Sequence, residues 1–240
     1  MIIIITGASH TGKTMLAQRL LEKYKYPYIS IDHIKMGLIR SGNTNLTPLD
    51  DDKLTDYLWP VVSEIIKTAI ENNQNIIVEG CYIPYDWRKS FESNYLKEIK
   101  FICLALSDNY IDHNFDIIKN KANIIETRLE DSCLSIDKLK IENKNFIDGF
   151  NNEKIIIIDS DYENTIKLFI KSYEQKIINK YLEFEKHSKL TKNTQNWTPK
   201  KHPKDIIQNK IKLIIQKIYQ NTKIKYVKYV RNDINYKIKR

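Results

Sequence analysis

An apolar run near the start of the chain leads directly into a glycine-containing loop. Ile2–Thr6 is nearly all β-branched, and the next eight residues read Gly7-Ala8-Ser9-His10-Thr11-Gly12-Lys13-Thr14, which is the pattern G-x-x-x-x-G-K-[ST]. Good helix formers follow over Met15–Tyr24. In a strand–loop–helix unit of this kind the loop N–H groups and the positive end of the helix point toward phosphate oxygens. The sequence therefore predicts that residues 7–14 bind the phosphates of a nucleoside triphosphate.

The side chains of this loop predict both the nucleotide and the metal. We expect Lys13 to act in catalysis by reaching the β- and γ-phosphates, and the Thr14 hydroxyl to ligate Mg²⁺. The other positions are expected to bind the nucleotide through the backbone, and His10 is interpreted as a backbone contributor rather than a base. The predicted nucleotide-binding residues are Gly7, Ala8, Ser9, His10, Thr11, Gly12, Lys13 and Thr14, with ATP and Mg²⁺ as the bound species.

Short apolar runs alternate with helical patterns through the first 180 residues or so. Such runs are typical of strands buried on both faces of a parallel sheet, so the pattern predicts an α/β domain with helices on both sides. The predicted strands after the first are Tyr26–Ile31, Asn75–Glu79, Lys100–Leu106 and Lys154–Asp159. The predicted helices after the first are Leu54–Glu71, Trp87–Lys97, Tyr110–Leu129, Ser135–Phe146 and Asp161–Glu183, with Pro60 expected to kink or split the first of these.

An acidic residue closes the second and the third predicted strand. Ligands sit at the carboxyl ends of parallel strands, so both side chains are candidates for the site. Asp32 is predicted to orient or deprotonate an acceptor hydroxyl, or to help hold Mg²⁺; the alternative is an N-cap for the helix that follows. Glu79, followed by Gly80, is predicted to support Mg²⁺, and the alternative is an ordinary solvated strand end.

Arginine is scarce in this chain, with 6 residues against 33 lysines, so each arginine is a candidate for bidentate binding of an anion. Arg40 and Arg88 follow the second and third strand ends and are predicted to bind the acceptor. Arg128 precedes the fifth strand and is predicted to act on the transferring phosphoryl group from a lid. For each of the three, a surface salt bridge or a solvated helix face is the alternative.

Three segments together resemble one superfamily. Gly7–Thr14, Ile29–Arg40 and Val78–Arg88 are similar to P-loop kinases, which include adenylate, shikimate and gluconate kinases and zeta-toxin-like sugar-nucleotide kinases. The resemblance spans residues 1–175 and implies a three-layer fold with a five-stranded parallel sheet in the order 2-3-1-4-5, and Mg-ATP-dependent phosphoryl transfer.

The same resemblance bears on the acceptor. Glu79 stands where adenylate kinases have Asp in an Asp-Gly-aromatic-Pro element. Only Arg128 stands where adenylate kinases have a multi-arginine lid. A hydroxylated metabolite, including a phosphorylated one such as a phosphoglycerate, therefore fits at least as well as a nucleoside monophosphate.

The end of the chain differs from the rest in charge. Residues 181–240 contain 16 Lys/Arg and 4 Asp/Glu, a net of +12, whereas the whole chain carries +9. We predict a kinase domain over residues 1–185 and a basic extension over residues 186–240, made of a linker, an amphipathic helix and a hairpin. We favour an accessory role for this extension, and its tyrosines interleaved with lysines leave nucleic-acid binding as an alternative.

Three functional hypotheses follow. The first is a kinase that phosphorylates a hydroxyl or phosphate of a small metabolite, the second a polynucleotide-end kinase that uses the extension, and the third a non-catalytic nucleotide sensor. Three cysteines without a CxxC pair and no apolar stretch of membrane-spanning length predict a cytoplasmic protein. The oligomeric state is left open.

Overall fold

The computed structural model describes residues 1–121 and 134–172. A five-stranded sheet with all neighbours parallel has the strand order β2-β3-β1-β4-β5, so the predicted fold class and sheet order are confirmed. The strands are β1 (Ile2–Gly7), β2 (Tyr28–Ser30), β3 (Ile76–Glu79), β4 (Ile99–Leu106) and β5 (Ile155–Ile158).

Helices connect these strands as the alternating pattern predicts. They are α1 (Lys13–Tyr24), α2 (Ile31–Arg40), α3 (Asp51–Glu71), α4 (Ser93–Leu96), α5 (Asp108–Lys121) and α6 (Ile136–Gly149), with a short 3₁₀ helix at Trp87–Ser90. A further helix begins at residue 162.

Both faces of the sheet are covered. Ile2 and Ile4 of β1 pack in one cluster with Leu58 and Val62 of α3. Successive strand residues point to opposite faces, and Ile3, on the other face, is also buried. Burial on both faces explains why β1 is a continuous isoleucine run rather than an alternating one.

The expected splitting of the helix at Pro60 was wrong, since α3 runs unbroken through this residue, and a kink there stays a prediction. Pro60 is exposed, so water can satisfy the carbonyl that lacks its helical N–H partner, while neighbouring apolar residues remain in the core.

The predicted helix Trp87–Lys97 is instead two short pieces. Phe91 adopts an extended backbone between them, with its ring edge-on to those of Trp59 and Trp87. Tertiary packing of aromatic rings therefore overrides local helix propensity here.

Residues Met1–Ile166 form one compact unit, and a second unit begins at Lys167. The predicted boundary at residues 185–186, the basic extension at 186–240 and Arg128 all lie outside the described residues, so these remain predictions. Over the parts of the chain that are described, no helix has the length and apolar character needed to cross a bilayer.

Candidate active site

The register of the sheet brings the phosphate-loop candidate beside two other strand ends. Glu79, the last residue of β3, pairs with Ile5 of β1 on one side and with Ser30 of β2 on the other. The loop that leaves β1 at Gly7 and the helix that leaves β2 at Ile31 therefore start from the same edge of the sheet. This is the edge where ligands bind in open α/β sheets.

The loop between β1 and α1 has backbone dihedral angles that residues with side chains rarely adopt. Gly7 has φ 146°, and a Cβ there would lie 2.1 Å from the Leu104 carbonyl oxygen. His10 and Gly12 have left-handed φ values of 64° and 82°. The left-handed conformation of His10 fits its interpretation as a backbone contributor, because it helps to curl the loop.

Two side chains brace the loop from inside. The Thr11 hydroxyl donates to the Ala8 carbonyl at 2.9 Å, and the Lys13 ammonium donates to the same oxygen at 2.8 Å. Lys13 is only 7% exposed, so its charge is held within the loop rather than in bulk solvent. An ammonium has three N–H donors, so Lys13 can also donate to phosphate oxygens, which would form charge-assisted hydrogen bonds with it.

Thr14 and Glu79 form a pair of oxygen donors at the entrance of α1. The Thr14 hydroxyl donates to Glu79 Oε2 at 3.4 Å, and the Glu79 carboxylate is 1% exposed. Mg²⁺ prefers oxygen ligands and is usually bound by one or two protein groups together with substrate phosphates and water. This pair fits such an ion, and Thr14 and Glu79 would hold it directly or through water.

Tyr162 packs against the loop, and sequence reasoning missed it. Its hydroxyl donates to the Gly12 carbonyl at 2.8 Å, and a Cβ on Gly12 would lie 2.6 Å from its ring. Burial raises the pKa of Tyr162, so the phenol stays protonated as a donor. Arg19 of α1 lies 5.7 Å from the ring centroid and is ion-paired with Glu163. No sequence pattern marks this contact, because 150 residues separate its partners.

Asp32 lies in the first turn of α2 rather than at a strand end. Helix α2 begins at Ile31 and its N-cap position is Ser30, so the alternative that Asp32 is the N-cap was wrong. The carboxylate instead pairs with the Lys35 ammonium at 2.6 Å. The i,i+3 spacing within one helix brings these two side chains together.

Lys35 continues a chain of polar contacts that reaches α3. Its ammonium donates to the Tyr82 hydroxyl at 2.9 Å and lies 4.7 Å from the centroid of the Tyr82 ring. Tyr82 in turn donates to Asp51 Oδ1 at 2.7 Å. Burial and neighbouring negative charges raise the pKa of Tyr82, so it remains a phenol. Tertiary structure brings the Asp32–Lys35 pair together with Tyr82 and Asp51; we call these four residues the acceptor-side network.

The segment at residues 79–82 links this network to the loop. Glu79 accepts a hydrogen bond from Thr14 at 3.4 Å, and Tyr82, three residues later, accepts one from Lys35 at 2.9 Å. Burial raises the pKa of the Cys81 thiol within this segment to about 11. The phosphate-loop candidate and the acceptor-side network therefore border one region of the molecule.

Of the three predicted arginines, Arg40 and Arg88 lie in the described residues, and there neither contacts the acceptor-side network. Arg88 binds Glu153 with Nε at 2.6 Å from Oε1 and Nη2 at 2.8 Å from Oε2, and it also lies over the Trp87 ring. Arg40 is exposed in the last turn of α2. Acceptor binding by these two residues remains a prediction, as does the role of Arg128.

Solved structures with a similar fold include several kinases. A gluconokinase from Sinorhizobium meliloti is 12% identical with a TM-score of 0.43, and the match covers 75% of this chain and 95% of that one. Shikimate kinase from Aquifex aeolicus is 13% identical (TM-score 0.44, 74% and 99% covered), and that from Bacteroides thetaiotaomicron is 15% identical (TM-score 0.45, 72% and 98% covered).

No protein-family model matches the chain, and no curated protein matches it. At the identities and TM-scores of the solved structures, the likeness does not identify an activity. Activity therefore has to be inferred from the residues of the site.

Proposed function

We propose that the chain is a small-molecule kinase that transfers the γ-phosphoryl group of Mg-ATP to a hydroxyl group of a small metabolite. One observation carries the proposal: Glu79 accepts a hydrogen bond from Thr14, next to the buried Lys13, and Tyr82, three residues later, accepts one from Lys35 of the acceptor-side network. A phosphoryl donor and an acceptor held on these two sides would meet in the same region. Positioning and charge neutralisation supply most of the catalysis in this class of reaction.

On the nucleotide side, the loop N–H groups would hold the phosphates, with Lys13 donating to the β- and γ-phosphate oxygens. Thr14 and Glu79 would hold Mg²⁺, which in such sites neutralises the charge on those oxygens. Tyr162, through its hydrogen bond to the Gly12 carbonyl, would keep the loop in its curled conformation.

On the acceptor side, Asp32 is the group that would receive the proton. The acceptor oxygen forms its bond to the γ-phosphorus while the bond to the leaving β–γ bridging oxygen breaks, and the hydroxyl proton passes to the Asp32 carboxylate. The Asp32 side chain is 35% exposed, so a solute can reach it, and the ion pair with Lys35 fixes its position.

The first test is ATP turnover by the full chain with pooled candidate acceptors. We expect ADP formation to rise when the pool contains the acceptor, and Lys13→Ala to abolish the rise while circular dichroism shows an intact fold. Lys97→Ala is the matched control, because Lys97 is exposed just before β4, at the other end of the sheet. ATP hydrolysis that proceeds at an undiminished rate without any acceptor would count heavily against a kinase.

Asp32→Asn separates the kinase from a nucleotide sensor. In a kinase this variant should bind ATP with unchanged affinity but lose transfer by two or more orders of magnitude, as general-base removal does. In a sensor, whose role needs only ATP binding, this variant should leave that role intact. The polynucleotide-end alternative depends on residues 186–240, and its test is salt-dependent binding to RNA or DNA that truncation of those residues removes.

A further inference from the structure

The net charge of the acceptor-side network indicates which class of acceptor it can bind. We propose that the acceptor is an uncharged polyol, that is, a sugar or sugar alcohol carrying neither phosphate nor carboxylate. This inference rests on the proposed function and narrows it.

The network contains two carboxylates and one ammonium, a net charge of −1. Lys35, its cation, already pairs with Asp32 at 2.6 Å and donates to Tyr82 at 2.9 Å. An anionic acceptor would have to compete with Asp32 for this ammonium and would be repelled by Asp51. Like charges placed together without compensation disfavour binding, so this arrangement selects against phosphate and carboxylate groups.

Within the described residues, the arginines that the sequence predicts as anion-binding groups do not offset the network's net charge of −1. The Arg88 guanidinium is engaged on both oxygens of Glu153. Arg40 lies eight residues after Asp32 in the same helix, which separates their backbones by about 12 Å along the axis. Neither arginine lies against Asp32, the carboxylate proposed as the base, as Lys35 does.

Hydroxyl groups match what the network presents. A hydroxyl both donates and accepts, so it can donate to a carboxylate oxygen and accept an N–H from an ammonium. Lys35 has three N–H donors, of which two have partners in the contacts described above, and each carboxylate can accept several hydrogen bonds. A molecule with several adjacent hydroxyls could bridge Asp32, Lys35 and Asp51 without bringing in a charge.

The test uses the full chain, Mg-ATP and three panels of compounds that share a carbon skeleton but differ in charge. The first contains free sugars and sugar alcohols, the second the corresponding aldonic acids, and the third the corresponding sugar phosphates. We expect at least one uncharged compound to accelerate ADP formation tenfold or more, with less than a twofold effect from its charged counterparts.

Two outcomes would overturn the inference. One is acceleration by an acid or a phosphate that its uncharged counterpart does not match. The other is acceleration by an anionic member of the wider acceptor pool, such as a nucleoside monophosphate, while every uncharged compound is inactive. Failure of the proposed function looks different, because the chain would then not bind ATP, would bind it without acceleration by any compound, as a sensor does, or would hydrolyse it regardless of any added compound.

A charge-removing variant tests the reason for the selectivity. Asp51→Asn makes the network neutral and leaves Asp32 in place, so the preference in kcat/KM for the uncharged compound over its acid should fall at least threefold. Asp112→Asn is the matched control, because Asp112 pairs with Lys140 between α5 and α6, and its preference should not change. An unchanged preference in Asp51→Asn would refute the electrostatic origin of the selectivity.

Discussion

Cys81 offers a direct measurement of whether the nucleotide side and the acceptor side meet. Burial raises the pKa of its thiol from 9.0 to about 11. Only the thiolate reacts with alkylating agents, so at pH 7–8 the reactive fraction should be about a hundredfold below that of an ordinary thiol. The rate of alkylation by iodoacetamide should keep rising tenfold per pH unit beyond pH 9 and level off only near pH 11.

Two substitutions should move this profile in opposite directions. Lys13 lowers the pKa of Cys81 and Asp32 raises it. Lys13→Met should therefore slow alkylation at fixed pH and Asp32→Asn should speed it. One nearby charge at a partly buried site changes a pKa enough to alter the rate by roughly two- to tenfold.

The assay is alkylation over a range of pH, followed by quantification of the Cys81-containing peptide by mass spectrometry. Lys97→Met is the control, because an exposed lysine before β4 should leave the profile unchanged. A rate that levels off near pH 9, or identical profiles for the Lys13 and Asp32 variants, would refute the convergence of the two sides on Cys81.

Two further predictions concern the loop and the core. Gly12→Ala should lower the free energy of unfolding by roughly 1–2 kcal/mol because of the left-handed backbone, and by more because the new Cβ would contact Tyr162. Adding Tyr162→Ala should recover that extra loss in denaturant titrations. A loss below about 0.5 kcal/mol would contradict the strained loop. Trp87→Ala should lower the free energy of unfolding in urea by about 3–5 kcal/mol, because Trp87 is buried and its ring stacks on Phe101 with 4.8 Å between the ring centroids. The same change at the exposed Tyr85 should cost less. Equal losses would contradict the packing.

Much of the fold could be predicted because it depends on short-range patterns. The isoleucine run of β1 and the eight residues from Gly7 to Thr14 lie within one strand–loop–helix unit, so local chemistry specifies them. The sheet order came from the resemblance of three segments to known kinases and was confirmed. Local reasoning failed over Trp87–Lys97, where aromatic packing decided the outcome. At Pro60 the helix was expected to kink or split, and it does not split because this position is exposed to water.

The sequence by itself predicted a phosphate loop on a parallel sheet and marked Asp32 and Glu79 as acids near strand ends. Only the tertiary structure decided which side chains surround them. Tyr162 contacts Gly12 across 150 residues, and Lys35 bonds to Tyr82 across 47. The physical reason is that a hydrogen bond or ion pair between distant positions depends on how strands and helices pack, and the spacing of residues along a single chain carries no record of that packing.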